Sequence, residues 1–370
     1  MLILSVIPKY RTMKEYKVIG AMSGTSLDGL DLAYCHFTYH EQKWNYKIIA
    51  AETVEYESEW KNRLFKAPDI STVDLAALDF EFGRFIGKNV TNFIGLYELE
   101  NPDFIASHGH TVFHQPEKGF TLQIGSGAAI AAASGITSIC DFRSTDVALG
   151  GQGAPLVPVG DELLFGEYDF CLNLGGFANI SFLHDGKRYA YDVCAVNTLL
   201  NYLAAKKGLS FDKNGELGKR GKQNETLLEK LNSLPYFLQN SPKSLGREWL
   251  EEEVLPLFEN SGISIEDQIR TAYKHIALQI ISAMMPRDFK KIKALVTGGG
   301  AYNSYLTDLL RKLSTDEFYI PDKQIIDFKE ALIFAFLGVL RWRNEVNCLA
   351  SVTGAKHDSV GGCVYLAGEI

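Results

Sequence analysis

No run of apolar residues in this chain approaches the roughly 18 that a membrane-spanning helix requires. The stretch at the start, Met1 to Pro8, is shorter than a signal-peptide core and lacks a small-residue cleavage site. A soluble cytoplasmic protein is expected, with no membrane partner. Basic residues are in deficit, 37 Lys plus Arg against 45 Asp plus Glu, a formal charge of −8. No basic block could track a phosphodiester backbone, so nucleic acid is not an expected partner. Cysteine is sparse and unpatterned. Cys35, Cys140, Cys171, Cys194, Cys348 and Cys363 include no C-x-x-C pair, and runs such as Asp169-Phe-Cys-Leu-Asn-Leu174 make them read as buried hydrophobes. Two common nucleotide signatures are missing as well. The Gly-Lys of Gly218-Lys219-Arg220 has neither the upstream glycine nor the hydroxyl of a P-loop, and Ile130 stands where a dinucleotide fingerprint opening at Gly125 needs its last glycine.

What the chain does have is apolar material: 46% of 370 residues, enough for a sizeable core. At about 150 residues per domain, that length suggests two domains. Lys17 to Met22 and Leu30 to Tyr39 read as two strands joined by a polar, glycine-bearing turn, and Trp44 to Tyr56 as a third. Ser71 opens a long helix on which Leu75, Leu78, Phe82, Phe85, Ile86 and Val90 recur at helical spacing. Strands follow at Asp103 to Ser107, Thr121 to Ile124 and Ile136 to Phe142, with a small-residue helix from Gly127 to Ala133. The second half repeats the opening: Tyr168 to Leu174 breaks at Gly175-Gly176, then Ile180 to Leu183 and Tyr189 to Val193 continue the meander. Helices are expected at Val196 to Lys207, Glu225 to Leu234, Ile265 to Ala283, Tyr302 to Leu313 and Phe328 to Asn344, with a strand at Ile292 to Val296. Strands alternating with helices give an α/β fold.

Three strand-to-glycine loops stand out: Ser23-Gly24-Thr25-Ser26, Gly175-Gly176 and Gly298-Gly299-Gly300. Glycine lets backbone N–H groups approach an anion with no side chain in the way. One such loop is an ordinary tight turn. Three, two of them hairpin turns with hydroxyl, carboxylate or amide side chains, point to a nucleotide held between two similar domains.

At Ser23-Gly-Thr-Ser-Leu-Asp-Gly-Leu-Asp31 the sequence resembles the opening motif of the anhydro-N-acetylmuramic acid kinases. The resemblance continues through Ser107 to Pro116, Thr121 to Gly125, Asp141 to Arg143, Asp146 to Pro158, Asn173 to Ile180, Pro242 to Glu248, Thr297 to Ala301, Glu330 to Ala335 and Ser351 to Ala355. It implies a two-domain actin/hexokinase-like (ribonuclease H-like) α/β fold with a central interdomain cleft. Residues 1–140 with 350–370 would form one domain and 141–349 the other. It further implies a homodimer, the substrates ATP and an anhydro-sugar, and Mg²⁺. The reaction it implies opens the 1,6-anhydro ring with water and phosphorylates O6, giving N-acetylmuramic acid 6-phosphate in peptidoglycan recycling.

The resemblance also assigns roles. Asp192 becomes the base for water attack on the anomeric carbon, the kind of group glycoside chemistry uses; by spacing alone it reads as a helix cap. Gly24, Thr25, Ser26, Leu27, Asp28, Gly29, Leu30 and Asp31 form the first phosphate loop, with Asp28 the candidate for holding Mg²⁺ through water. Gly175, Gly176 and Asn179 form the second loop, and Gly298, Gly299 and Gly300 lie against the adenosine. His108, Gln123, Arg143, Gln152, Asn197 and Glu330 are the sugar contacts, Arg143 being suited to the lactyl carboxylate. Glu330 reads as opening a helix.

The chain departs from the family pattern in four places. Val193-Cys194-Ala195-Val196 stands where Thr-Gly-Pro-Gly is usual, Thr145 replaces an Arg, Ser126 an acidic residue and His110 a Gln. These departures leave two rivals open: a non-catalytic binding protein of the same fold, and a metal-dependent hydrolase built on His108, His110 and His114. The second rests on alternate strand positions facing one way.

Overall fold

The computed structural model describes residues 14–239, 241, 243–284 and 291–368; Met1 to Pro8 and Pro242 lie outside these. Two compact units divide the chain, Met1–Leu164 with Glu330–Ile370, and Phe165–Lys329. This division differs from a boundary near 140 and a return at 350. Residues 141–164 stay with the first unit because their partners lie there: Asp146 bonds the Thr353 hydroxyl, and Gly160 packs on Ile333 so closely that a Cβ would lie 2.8 Å from it.

The first unit holds a seven-stranded mixed sheet. Its strands are β1 (Lys14–Ser23), β2 (Gly29–His40), β3 (Lys43–Glu55), β4 (Phe104–Gln115), β5 (Phe120–Ile124), β6 (Ser138–Cys140) and β12 (Cys363–Tyr365). Their order is β12-β6-β4-β1-β2-β3, with β5 paired to β4. One face is covered by the helix Thr72–Leu96, capped by the Ser71 hydroxyl, which accepts from Asp74 N–H at 3.2 Å. Its buried Leu78, Phe82, Ile86, Val90 and Phe93 meet Ile19, Ala21, Leu32 and Ile105 of the sheet. Gly83 and Gly87 admit the small-residue helix Gly127–Ser134; a Cβ on Gly83 would lie 2.6 Å from the Ser126 carbonyl. The opposite face meets the helix Lys323–Trp342, whose Ala331 carbonyl lies where a Cβ on Gly20 would fall.

The second unit repeats the plan. Strands β7 (Phe170–Leu174), β8 (Phe177–His184), β9 (Lys187–Ala195), β10 (Lys293–Thr297) and β11 (Glu317–Tyr319) run in the order β11-β10-β7-β8-β9. In both units an antiparallel three-stranded meander is extended beside its first strand by parallel strands. The repeat read from the sequence is therefore a repeat of topology. Leu172, Ile180 and Val296 pack with Ile269, Ile276 and Ile280 of the helix Ile265–Met284 to form this unit's core.

Two expectations are corrected. The helix expected from Phe328 begins at Lys323, where Asp322 accepts Ile325 N–H at 3.0 Å, so Glu330 lies inside it and gains nothing from a helix terminus. Nor do His108 and His110 face one way. The β1–β4 register passes from Ala21↔Ser107 to Met22↔Gly109, leaving His108 as the extra residue of a bulge at Gly109, whose φ is +74°. His108 turns to Phe334 of the Lys323 helix, His110 to Phe82 of the Thr72 helix.

Candidate active site

The ends of the parallel strands in the second unit carry a polar row. Thr297, Asn173, Asn179 and Asp192 are successive register partners across β10, β7, β8 and β9. Asp192 lies within β9 rather than capping a helix, and the bulge that skips Val193 keeps it opposite Asn179. Its Oδ2 accepts Leu245 N–H at 2.9 Å, and its carbonyl accepts the Tyr236 hydroxyl at 2.6 Å. Oδ1 has no hydrogen bond among the described residues. Burial pushes the carboxyl pKa above its ordinary range, against the lowering effect of the Leu245 N–H. A partly buried carboxylate with one oxygen anchored is suited to taking a proton.

Two glycine loops border this row. Gly298 has φ +79°, and a Cβ there would lie 2.5 Å from Asn173 Oδ1; on Gly300 it would lie 2.7 Å from Leu174 Cβ. Asn197 fastens the loops together, its Nδ2 donating to the Leu174 carbonyl at 3.1 Å beside Gly299. Val196 and Thr198 N–H bond the Gly176 carbonyl and Asn197 N–H the Gly175 carbonyl. The departure at Val193 to Val196 thus forms a buried, non-glycine helix entry whose first donors hold the hairpin rather than a ligand. Behind Gly299 and Asn197 opens a cavity of about 220 Å³, lined also by Asn201, Phe211, Tyr273 and Tyr302. Its walls combine aromatic rings and amides with the charged Asp212 and Lys213, a lining with room and polar partners for a nucleoside.

In the first unit the hairpin tip exposes Thr25, Ser26 and Asp28, with Leu27 at φ +60°. Gly29 is required by its neighbour: a Cβ would meet the Val54 carbonyl at 2.6 Å. Leu30 is buried, and Asp31 accepts the Thr53 hydroxyl at 2.6 Å, so both support the hairpin rather than its tip.

A separate cluster in the same unit gathers the other predicted residues. Arg143 Nε donates to His108 Nε2 at 3.0 Å, and its Nη1 to the Gly153 carbonyl at 2.6 Å. His108 Nδ1 lies 2.9 Å from the Gly109 carbonyl, which makes it the protonated nitrogen of a neutral ring. Burial, then the Arg143 charge, hold the His108 pKa well below its usual value. Both its nitrogens are occupied by protein, so His108 aims Arg143 rather than touching a ligand itself. Burial brings Arg143 down to about 10, partly offset by Glu330, and it stays a cation at neutral pH. Gln123 donates to Thr121 at 2.8 Å, Thr121 in turn bonding His114. Gln152 is exposed next to Gly153.

His110 bonds the Ser23 hydroxyl at 3.0 Å, so the three histidines have three different partners. Among the described residues no group of three or more His, Cys, Asp or Glu could hold a metal, and the metal-hydrolase reading loses its site. No described helix is long and apolar enough to cross a membrane.

Sequence reasoning missed Asp146 and Tyr236. Asp146 is fully buried; it accepts Gly153 N–H at 2.7 Å and the Thr353 hydroxyl at 2.7 Å, shaping the loop that presents Gln152. A carboxylate just ahead of Gly150-Gly151-Gln152-Gly153 was its signal.

A family model described as "Anhydro-N-acetylmuramic acid kinase" matches residues 16–367. The chain belongs to the anhydro-N-acetylmuramic acid kinase family. Relatives carrying that name agree with this. The one from Mannheimia succiniciproducens is 35% identical over 95% of this chain and 99% of its own length. That from Sulfurimonas denitrificans is 32% identical over 95% and 100%, and that from Pseudomonas fluorescens 34% over 94% and 98%. In this member of the anhydro-N-acetylmuramic acid kinase family, Asp192 is followed by a closed helix entry at Val193 to Val196, with Asn197 bonding the Leu174 carbonyl.

Proposed function

We propose that the chain hydrolytically opens 1,6-anhydro-N-acetylmuramic acid and phosphorylates its O6 with Asp192 as the base, giving N-acetylmuramic acid 6-phosphate. As a member of its family the chain is an enzyme, an ATP-dependent kinase acting on anhydro-N-acetylmuramic acid in peptidoglycan recycling. The observation that carries the mechanistic reading is the environment of Asp192: Oδ2 fixed by Leu245 N–H, Oδ1 unbonded among the described residues, and the pKa raised by burial.

In the proposed step Asp192 takes a proton from water as the water oxygen bonds C1. The C1–O6 bond breaks, and the electron pair released on O6 attacks the γ-phosphorus as ADP departs. Arg143, held by His108, would pair with the lactyl carboxylate of the sugar, and Gln152, Gln123 and Glu330 would contact its polar groups. The cavity beside Gly299 would take the adenosine, with the Gly175-Gly176 and Ser23 to Gly29 hairpins on the phosphates. One substrate pair then engages both units, and the repeated strand order supports the actin/hexokinase-like cleft this needs. With no all-protein metal cage among the described residues, an exposed Asp28 fits Mg²⁺ held mainly by phosphates and water. When bound, the ion would neutralise phosphate charge.

Mass spectrometry of product made in ¹⁸O-labelled water tests the reading. One ¹⁸O on C1 with the phosphate on O6 is expected. A phosphorylated product without label at C1 would show that ring opening does not use water.

A further inference from the structure

The motif from Pro242 to Glu248 is given no chemistry by the reading above, yet its described part closes over the proposed base. Asp192 N–H donates to the Lys243 carbonyl at 3.3 Å, and Leu245 N–H returns to Asp192 Oδ2 at 2.9 Å, so the segment bonds Asp192 twice. The third bond comes from Tyr236, whose hydroxyl donates to the Asp192 carbonyl at 2.6 Å. Lys243 locks the two elements together. Its Nζ donates to the Tyr236 carbonyl at 3.2 Å and lies 4.7 Å from the centroid of the Tyr236 ring, over its face. Tyr236 packs in turn on Trp249, ring centroids 5.2 Å apart.

We propose that the strap Lys243–Leu245, latched by Tyr236, is the positioning device of the base, holding the Asp192 rotamer that turns Oδ1 toward the attacking water. This rests on Asp192 being the base. A carboxylate on an edge strand has two free torsions. An N–H on one oxygen and two bonds on its backbone remove that freedom before substrate arrives, the preorganisation a proton transfer needs. Tyr236 and Lys243 act through Asp192 and are positioning residues. The titratable groups facing the carboxyl are Tyr236 and, on its own strand, Cys194; the Lys243 ammonium sits over the Tyr191 and Tyr236 rings, and Asn179, opposite on β8, is uncharged.

The test uses Tyr236→Phe, which keeps the ring on Trp249 and removes the hydroxyl, and Lys243→Met, which keeps the stem. Sugar-dependent ADP release is measured against pH in the full chain. Both variants are expected to lower kcat by roughly ten- to a hundredfold, to leave KM for ATP within about twofold of the original, and to move the acid limb of kcat to higher pH. The limb moves because a loosened strap weakens the N–H bond that favours the ionised carboxyl. Wild-type kcat and acid limb in the variants would overturn the proposal, as would a lowered kcat with an unmoved limb, which marks packing alone. If Tyr236→Phe does not fold, Lys243→Met is read by the same criteria. Asp192→Asn separates the two claims: full turnover there removes the base, whereas an inactive Asp192→Asn beside unchanged strap variants removes only the strap.

Discussion

Gly298 and Gly299 are neighbours with different constraints. Gly298 sits at φ +79°, and a Cβ would meet Asn173 Oδ1 at 2.5 Å and the Leu174 carbonyl carbon at 2.9 Å. Gly299 has no such backbone demand, and its nearest atom to an added Cβ is Asn197 Nδ2 at 3.7 Å. Gly298→Ala is expected to lower stability by roughly 1–3 kcal/mol and to weaken ATP binding with it. Gly299→Ala should cost less than about 1 kcal/mol in urea unfolding, yet still weaken ATP binding if the cavity it lines takes the adenosine as proposed, since the methyl would enter it. Equal stability of the two variants would contradict the strained loop. The residues of the site were unevenly legible. Asp192 carries no local mark of a base, since its anchor Leu245 lies far along the chain. His108 read as a ligand contact because nothing local shows that Arg143 and Gly109 occupy both its nitrogens.

Among elements, both hairpins could be read from alternation broken by glycine, and the Thr72–Leu96 helix from its apolar spacing. The start of the Lys323 helix was hidden because its first two residues, Lys323 and Gln324, are polar; only Asp322 after Pro321 marks it. The β4 bulge was hidden too. A single glycine at 109 signals freedom, not the register shift that sends His108 and His110 to opposite faces. Such features depend on partner strands that one segment does not contain.

For the whole molecule, the repeat was legible because each half spells the same meander, while the domain boundary was not, since Asp146 and Gly160 find their partners near the C-terminus. Burial also sets a pH dependence. His275 is pushed down to about 3 and His110 to about 4 by burial, and His108 lies well below its usual value. As pH falls below about 6.5 the unfolded chain binds protons that these folded rings refuse. Their stabilisation, complete above that pH, is lost on the way down to about 4 and beyond, by up to roughly 1.4 kcal/mol per pH unit for each ring. Asp79 and Asp192, with raised values, act in the opposite sense near the ordinary carboxylate range. The urea midpoint is expected to be lower at pH 5 than at pH 7.5; an equal or higher midpoint at pH 5 would contradict neutral buried histidines.

Steady-state ADP release by Asp192→Asn, with anhydro-N-acetylmuramic acid and ATP saturating and with melting temperature and ATP affinity checked beside it, tests the central claim most directly. The account predicts turnover lower by roughly 10² to 10⁴ in a folded protein that binds ATP as before. Turnover near that of the unaltered enzyme would contradict it.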